Sequence, residues 1–138
     1  MMEESTNNQP NNVPPSNSNQ KSILCIEDEL FIADLYKHAF EKAGYKFDLV
    51  VSGDNGLEMA KQGSYDYILL DIVIPGILGV EILHELRKLP DIKSKIIITT
   101  NLEQDQETRS QVEKEADAYL IKAEITPNQL VDFVNNFS

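Results

Sequence analysis

The chain has 138 residues, a single cysteine and a formal net charge of -11. That length suits one domain with its own core, and a lone thiol excludes an internal disulfide. The acidic balance argues against a nucleic-acid surface, which needs clustered Lys and Arg, and no apolar stretch reaches the length of a membrane span.

Residues 1–20 are rich in Asn, Pro, Ser and Gln. They offer almost nothing to bury, so a disordered tail is expected. The start MMEESTNNQP has neither a basic region nor an apolar run, so it is not a secretory signal. Cys25 lies inside the apolar run SILCI and reads as a buried small hydrophobe. A reducing, cytoplasmic setting is expected.

From Ser22 onward the chain alternates between short apolar runs and helical patterns. SILCI, YDYILL and KIIIT are continuous β-rich runs, which read as strands covered on both faces. FDLVV is a weaker strand and DAYLI a short one. The first helix carries Ile32, Leu35, Tyr36, Ala39 and Ala43 at helical spacing and stops at Gly44. A shorter helix spans about 55–61, after a turn at Ser52-Gly53. The next carries Ile82, Leu83, Leu86 and Leu89 before Pro90. A mostly polar helix over 104–116 has Val112 and Ala116 as its main apolar residues, so it is weakly held. The last helix carries Leu130, Phe133, Val134 and Phe137, with Thr126 as N-cap and Pro127 at its first position. Strand and helix alternate five times, which implies an α/β fold with a parallel sheet and helices on both faces. Periodicity does not fix the strand order.

The reactive side chains fall at the ends of these strands. Glu27 and Asp28 follow SILCI, Asp71 follows YILL, Thr100 follows IIIT, and Lys122 follows AYLI. Strand ends that share one edge of a parallel sheet line a crevice there. Three carboxylates, a hydroxyl and an ammonium suit a divalent metal and a phosphoryl group. Glu27 and Asp28 also suit capping of the helix that begins near Leu30. His38 and His84 fall on exposed helix positions and receive no catalytic role.

The segments ILCIEDE, YILLDIVIPGILG, IIITTN and DAYLIK together resemble the receiver domain of two-component response regulators, of the single-domain chemotaxis type. The combination is specific because the Asp71–Pro75–Gly79 spacing sits between an acidic pair and a late Thr and Lys. The resemblance assigns residues 21–138 to a receiver domain. It implies the doubly wound (βα)5 flavodoxin-like sandwich with strand order 2-1-3-4-5, an order known for this fold.

The resemblance also implies roles. Asp71 is the phosphoacceptor, forming an acyl phosphate. Asp28 and Asp71 ligate Mg2+ (or Mn2+), Glu27 acts through water, and the backbone carbonyl of Val73 completes the protein share. Lys122 pairs with phosphoryl oxygens, the Thr100 hydroxyl swings to bond one, and Tyr119 follows the Thr. Of Thr99 and Thr100, only one should point into the site, and spacing to Lys122 favours Thr100.

Three positions depart from the family pattern. Asn101 stands where a small residue is usual, Ala123 where a proline in a cis bond is common, and Leu78 where Asp is frequent. A non-proline cis bond costs roughly 3 kcal/mol, so the loop after Lys122 can differ.

The expected function is a phosphoryl-accepting switch that takes part in its own phosphorylation and dephosphorylation without being an enzyme in the usual sense. A histidine kinase or histidine phosphotransfer protein would supply the phosphoryl group. Because the chain ends at its fifth helix, a stand-alone domain is expected. It would signal to a downstream protein through the 104–116 helix, the Tyr119 strand and the last helix, as a monomer or an activation-dependent dimer. One alternative is a phosphorylation-independent scaffold. Another, an aspartate-nucleophile phosphatase, lacks its second acid because Val73 stands two residues after Asp71.

Overall fold

The structure is a computed structural model and describes residues 20–74, 76–101 and 105–137. Of the expected tail over 1–20, residues 1–19 lie outside the described residues, as do Pro75 and the start of the polar helix at Gln104; Gln20 is described, exposed, and its Nε2 donates to the Gly44 carbonyl at 3.2 Å. In chain order the elements are β1 (Ser22–Ile26), α1 (Leu30–Lys42), β2 (Lys46–Val50), α2 (Gly53–Gln62), β3 (Tyr67–Asp71), α3 (Gly79–Arg87), β4 (Lys95–Thr100), α4 (Gln106–Glu115), β5 (Ala118–Ile121) and α5 (Pro127–Asn135). All strand pairs are parallel, and the order across the sheet is β2-β1-β3-β4-β5. This is the doubly wound, flavodoxin-like arrangement.

The continuous apolar runs are continuous because both sheet faces are covered. Leu24, Ile26, Ile68, Leu70, Ile96 and Ile98 pack against Ala60, Ile82, Leu83, Leu86 and Val112 of α2, α3 and α4. Ile23, Cys25, Tyr67, Leu69 and Ile97 pack against Tyr36, Phe40, Leu130, Val131 and Val134 of α1 and α5. Cys25 is buried, and burial pushes its thiol up, far from thiolate chemistry.

The helix patterns need small corrections. In α1 the buried line is Ala33, Tyr36 and Phe40, while Leu35 is 39% exposed and Ala43 is the C-cap. Tyr36 is buried as expected and Ile32 and Ala39 pack partly buried against the same core, while Ala33 and Phe40 were not anticipated. Gly44 follows with φ +97, the left-handed conformation that ends a helix at low cost to glycine. Ser52 and Gly53 form no separate turn. Ser52 is the N-cap of α2, accepting the Asn55 N–H at 3.3 Å, and Gly53 is already helical. Neither Glu27 nor Asp28 caps α1. The N-cap position belongs to Glu29, whose side chain makes no capping bond. Thr126 forms the expected cap of α5, completed by Gln129 as a capping box, with Pro127 in the first turn.

The polar helix α4 buries only Val112 among its described residues. Its C-terminal end is held by polar bonds from α3 instead. Arg87 Nε donates to the Glu115 carbonyl at 2.6 Å, and Arg87 Nη2 donates to Asp117 Oδ2 at 2.5 Å. His84 Nδ1 lies 3.0 Å from Glu115 Oε2.

Candidate functional site

The strand order reverses between β1 and β3, and a crevice opens there at the carboxyl ends of the strands. Each site residue arrives at the edge because its strand ends there. Glu27 and Asp28 follow β1, Asp71 closes β3, Thr100 closes β4, and Lys122 follows β5. The loop after β3 returns onto the same edge through Gly79, whose N–H donates to the Ile72 carbonyl at 2.9 Å. A Cβ at this glycine would collide with the Asp71 carbonyl oxygen, so the return requires glycine.

Ligand oxygens of Glu27, Asp28 and Asp71 lie within 4.8 Å of one another, with Glu27 and Asp71 buried and Asp28 exposed. Lys122 reaches into this group. Its Nζ lies 2.6 Å from Glu27 Oε1, 3.0 Å from Asp71 Oδ2 and 3.3 Å from Glu29 Oε1. The Glu27 contact is a close ion pair between two buried side chains. Glu27 Oε2 accepts the Glu29 N–H at 3.1 Å, and Asp71 Oδ1 accepts the Val73 N–H at 3.1 Å.

The electrostatics follow from counting charges. Burial pushes the Glu27 carboxyl above its ordinary range; Lys122 opposes this and the Asp71 charge adds to it. Burial likewise raises Asp71, again against Lys122. Burial works against the Lys122 ammonium as well, yet the bonds and charges of Glu27 and Asp71 outweigh it and push Lys122 up. One ammonium gains from two buried partners, whereas those partners share one ammonium and repel each other. The acids are therefore under-neutralised. A carboxylate cluster of this kind fits a hard dication with oxygen ligands, and Asp28, Asp71 and Glu27 are the side chains placed to hold it.

Both threonines are buried, but they are not equivalent. Thr99 is the register partner of Asp71 across the β3–β4 pair, whereas Thr100 pairs with Ile121. The crevice of about 240 Å³ is lined by Thr100 together with Asp28, Glu29, Asp71, Val73 and Asn101, and not by Thr99. Tyr119 lies on β5 opposite Ile98 and packs, partly buried, on the α2–α4 side of the sheet. The Arg109 guanidinium of α4 sits 4.6 Å from the centre of its ring.

The residues after Lys122 form a 3-10 turn, Lys122–Glu124, and no cis peptide bond occurs among the described residues. Leu78 is exposed, and His38 and His84 are exposed on α1 and α3. The sequence reading gave Glu29 no role. It lines the crevice and shares Lys122, and its signal was the run of three acids, Glu27 to Glu29.

Comparison with known proteins agrees with this geometry. A family model described as the response regulator receiver domain matches residues 23–135. The transcriptional regulatory protein DltR of Streptococcus agalactiae is 34% identical over 100 residues, covering 72% of this chain and 44% of DltR. The transcriptional regulatory protein ResD of Bacillus subtilis is 30% identical over 115 residues, covering 83% of this chain and 46% of ResD. This chain thus spans less than half the length of these two regulators. A CheY-like receiver domain protein from Methanospirillum hungatei superposes with a TM-score of 0.77 at 27% identity, over 85% of this chain and 92% of that one. The response regulator TrrA of Thermotoga maritima, solved in complex with Mg(2+)-BeF, superposes with a TM-score of 0.73 at 32% identity, over 86% of this chain and 100% of that one. This chain belongs to the response regulator receiver domain family.

Proposed function

We propose that this chain is a phosphoryl-accepting signalling switch, with Asp71 as the acceptor. The observation that carries the reading is the meeting of Asp71 with two further carboxylates and the Lys122 ammonium at one strand edge. A phosphohistidine of a histidine kinase or phosphotransfer protein is the natural donor. An Asp71 oxygen attacks phosphorus, the O–P bond forms as the P–N bond breaks, and the imidazole leaves with a proton. Mg2+ bound by Asp28 and Asp71, by Glu27 through water and by the Val73 carbonyl would neutralise the carboxylates and the phosphoryl oxygens. Lys122 is within reach of Asp71 Oδ2 and would pair with a phosphoryl oxygen after transfer.

Thr100 lines the crevice, which supports reading its hydroxyl as the group that turns toward a phosphoryl group. Phosphorylation adds about -1.5 to -2 charge, and the readout is a population shift in α4 and β5 that Tyr119 reports. A downstream protein reads that shift on the α4-β5-α5 face.

The test is incubation with acetyl phosphate and Mg2+, followed by intact-mass measurement. One phosphoryl group is expected on the wild type and none on Asp71→Asn. Retained labelling of Asp71→Asn would remove the assignment.

A further inference from the structure

The mouth of the crevice is crossed by a bridge that the family resemblance does not supply. Asn101 Nδ2 donates to both oxygens of the Glu29 carboxylate, at 3.2 Å to Oε1 and 3.0 Å to Oε2. Glu29 Oε1 also accepts from Lys122 Nζ at 3.3 Å. Glu29 follows β1 and Asn101 follows β4, and both strands flank β3 in the sheet. Their side chains therefore join across the carboxyl end of β3, where Asp71 sits. The Asp71 side chain is 7% exposed, and that of Glu29 is 44% exposed. Glu29 is thus the more solvent-exposed of two side chains that line the same crevice.

We propose that Glu29 and Asn101 form a latch over Asp71 that slows the approach of phosphoryl donors. This rests on the reading of Asp71 as the acceptor. A donor's phosphoryl group is anionic, and at the crevice mouth it meets a carboxylate held in place by two hydrogen bonds. A carboxylate on a free side chain would swing into water, where its field is screened. The Asn101 amide keeps it at the mouth. Glu29 also draws on Lys122, the cation that would otherwise be shared by Glu27 and Asp71 alone. For Lys122 to pair with an incoming phosphoryl oxygen, its contact with Glu29 must loosen. Opening the latch is therefore part of the barrier to phosphorylation, and the two residues act as a positioning pair.

The experiment uses the full chain, Mg2+ and phosphoramidate as a small donor. In this reaction the donor's P–N bond breaks as the Asp71 O–P bond forms, and ammonia departs. The rate of mass increase is compared for the wild type, Asn101→Ala, Glu29→Gln and the double variant. Asn101→Ala keeps every charge but frees Glu29, and Glu29→Gln keeps the shape but removes the charge. Each single variant is expected to react about three- to tenfold faster, which falls in the lower part of the range of coupling energies between contacting side chains. The double variant should be no faster than the faster single one, because both changes open the same latch.

A second readout needs neither metal nor donor. The Asn101 side-chain amide resonances should shift in Glu29→Gln, as the bridge requires. Unchanged or slower rates in the single variants would overturn the latch, as would a double variant equal to the product of the two singles, or Asn101 resonances that ignore Glu29. A wild type that never gains a phosphoryl group would overturn the reading of Asp71 and the latch with it. A wild type that is labelled, with variants at the same rate, overturns the latch alone.

Discussion

Lys122 serves three carboxylates, and much of the site's behaviour follows from that ratio. Charges of one sign gathered for function sit there at a cost to stability. Asp28→Asn should therefore have two effects of opposite sign. It should stabilise the metal-free protein by about 0.5–2 kcal/mol in urea unfolding, and it should weaken Mg2+ binding by at least about tenfold, as loss of a direct ligand would. Stability that falls, or affinity that holds, would count against its place in the cluster. Thr100→Ala should still accept a phosphoryl group but lose the response at Tyr119, measured by ring resonances with Mg2+ and beryllofluoride. If Thr99→Ala alone did this, register pairing with Asp71 would outrank crevice lining as a guide. Asp71, Asp28, Glu27 and Lys122 were legible in the sequence because each marks the end of an apolar run. Glu29 was signalled only as the third of three successive acids, and its pairing was not legible, because its partners Asn101 and Lys122 come from loops 72 and 93 residues away. No local pattern records such a meeting.

Among the elements, α4 departs most from its neighbours. With Val112 as its buried residue, it owes its position to bonds from Arg87 and His84 and to the stacking of Arg109 on Tyr119. Elements with little buried apolar surface open at low free energy. Amides of α4 should therefore exchange with solvent before those of α1, which buries Ala33, Tyr36 and Phe40. Arg87→Ala should speed exchange at the α4 C-terminal end further, while α1 and α5 stay unchanged. Equal protection of α4 and α1 in the parent chain would remove the physical basis for α4 as the moving part. The sequence foretold this weakness through composition alone, since a polar helix has nothing to bury. In α1 it caught Tyr36, Ile32 and Ala39 but missed Ala33 and Phe40 and included the exposed Leu35, because several apolar side chains fitted a helical spacing and packing chose among them. It also read Gly53 as a turn, although a Ser N-cap tolerates Gly in the first helical turn.

For the whole molecule, the crowded acids link folding, protons and metal. The ordinary values are 4.5 for Glu27 and 3.8 for Asp71, and both are raised in the folded protein. Between those ordinary values and the raised ones the folded state binds more protons than the unfolded state. The contribution of these groups to stability therefore falls as pH rises through the raised values, and below the ordinary values the penalty is absent. Mg2+ replaces the protons, so the stabilisation it adds should grow as pH rises across that same window. Urea midpoints with Mg2+ and with a chelator, measured across that window, should show the two curves diverging toward neutrality. Parallel curves would mean that the acids and the metal are not linked. The sequence carried the layer order and the identity of the acids, but not the degree of burial on which this predicted linkage depends.

On the proposed function, charge at the β1–β3 crevice and the arrangement of α4 and β5 belong to one equilibrium. Beryllofluoride can be titrated into the protein in the presence of Mg2+ while backbone and side-chain resonances are followed. Signals of Asp71, Thr100 and Lys122 at the crevice should move together with those of Tyr119 and α4, along one binding curve. Movement confined to the crevice, with Tyr119 and α4 unaltered at saturation, would mean that the two are not coupled.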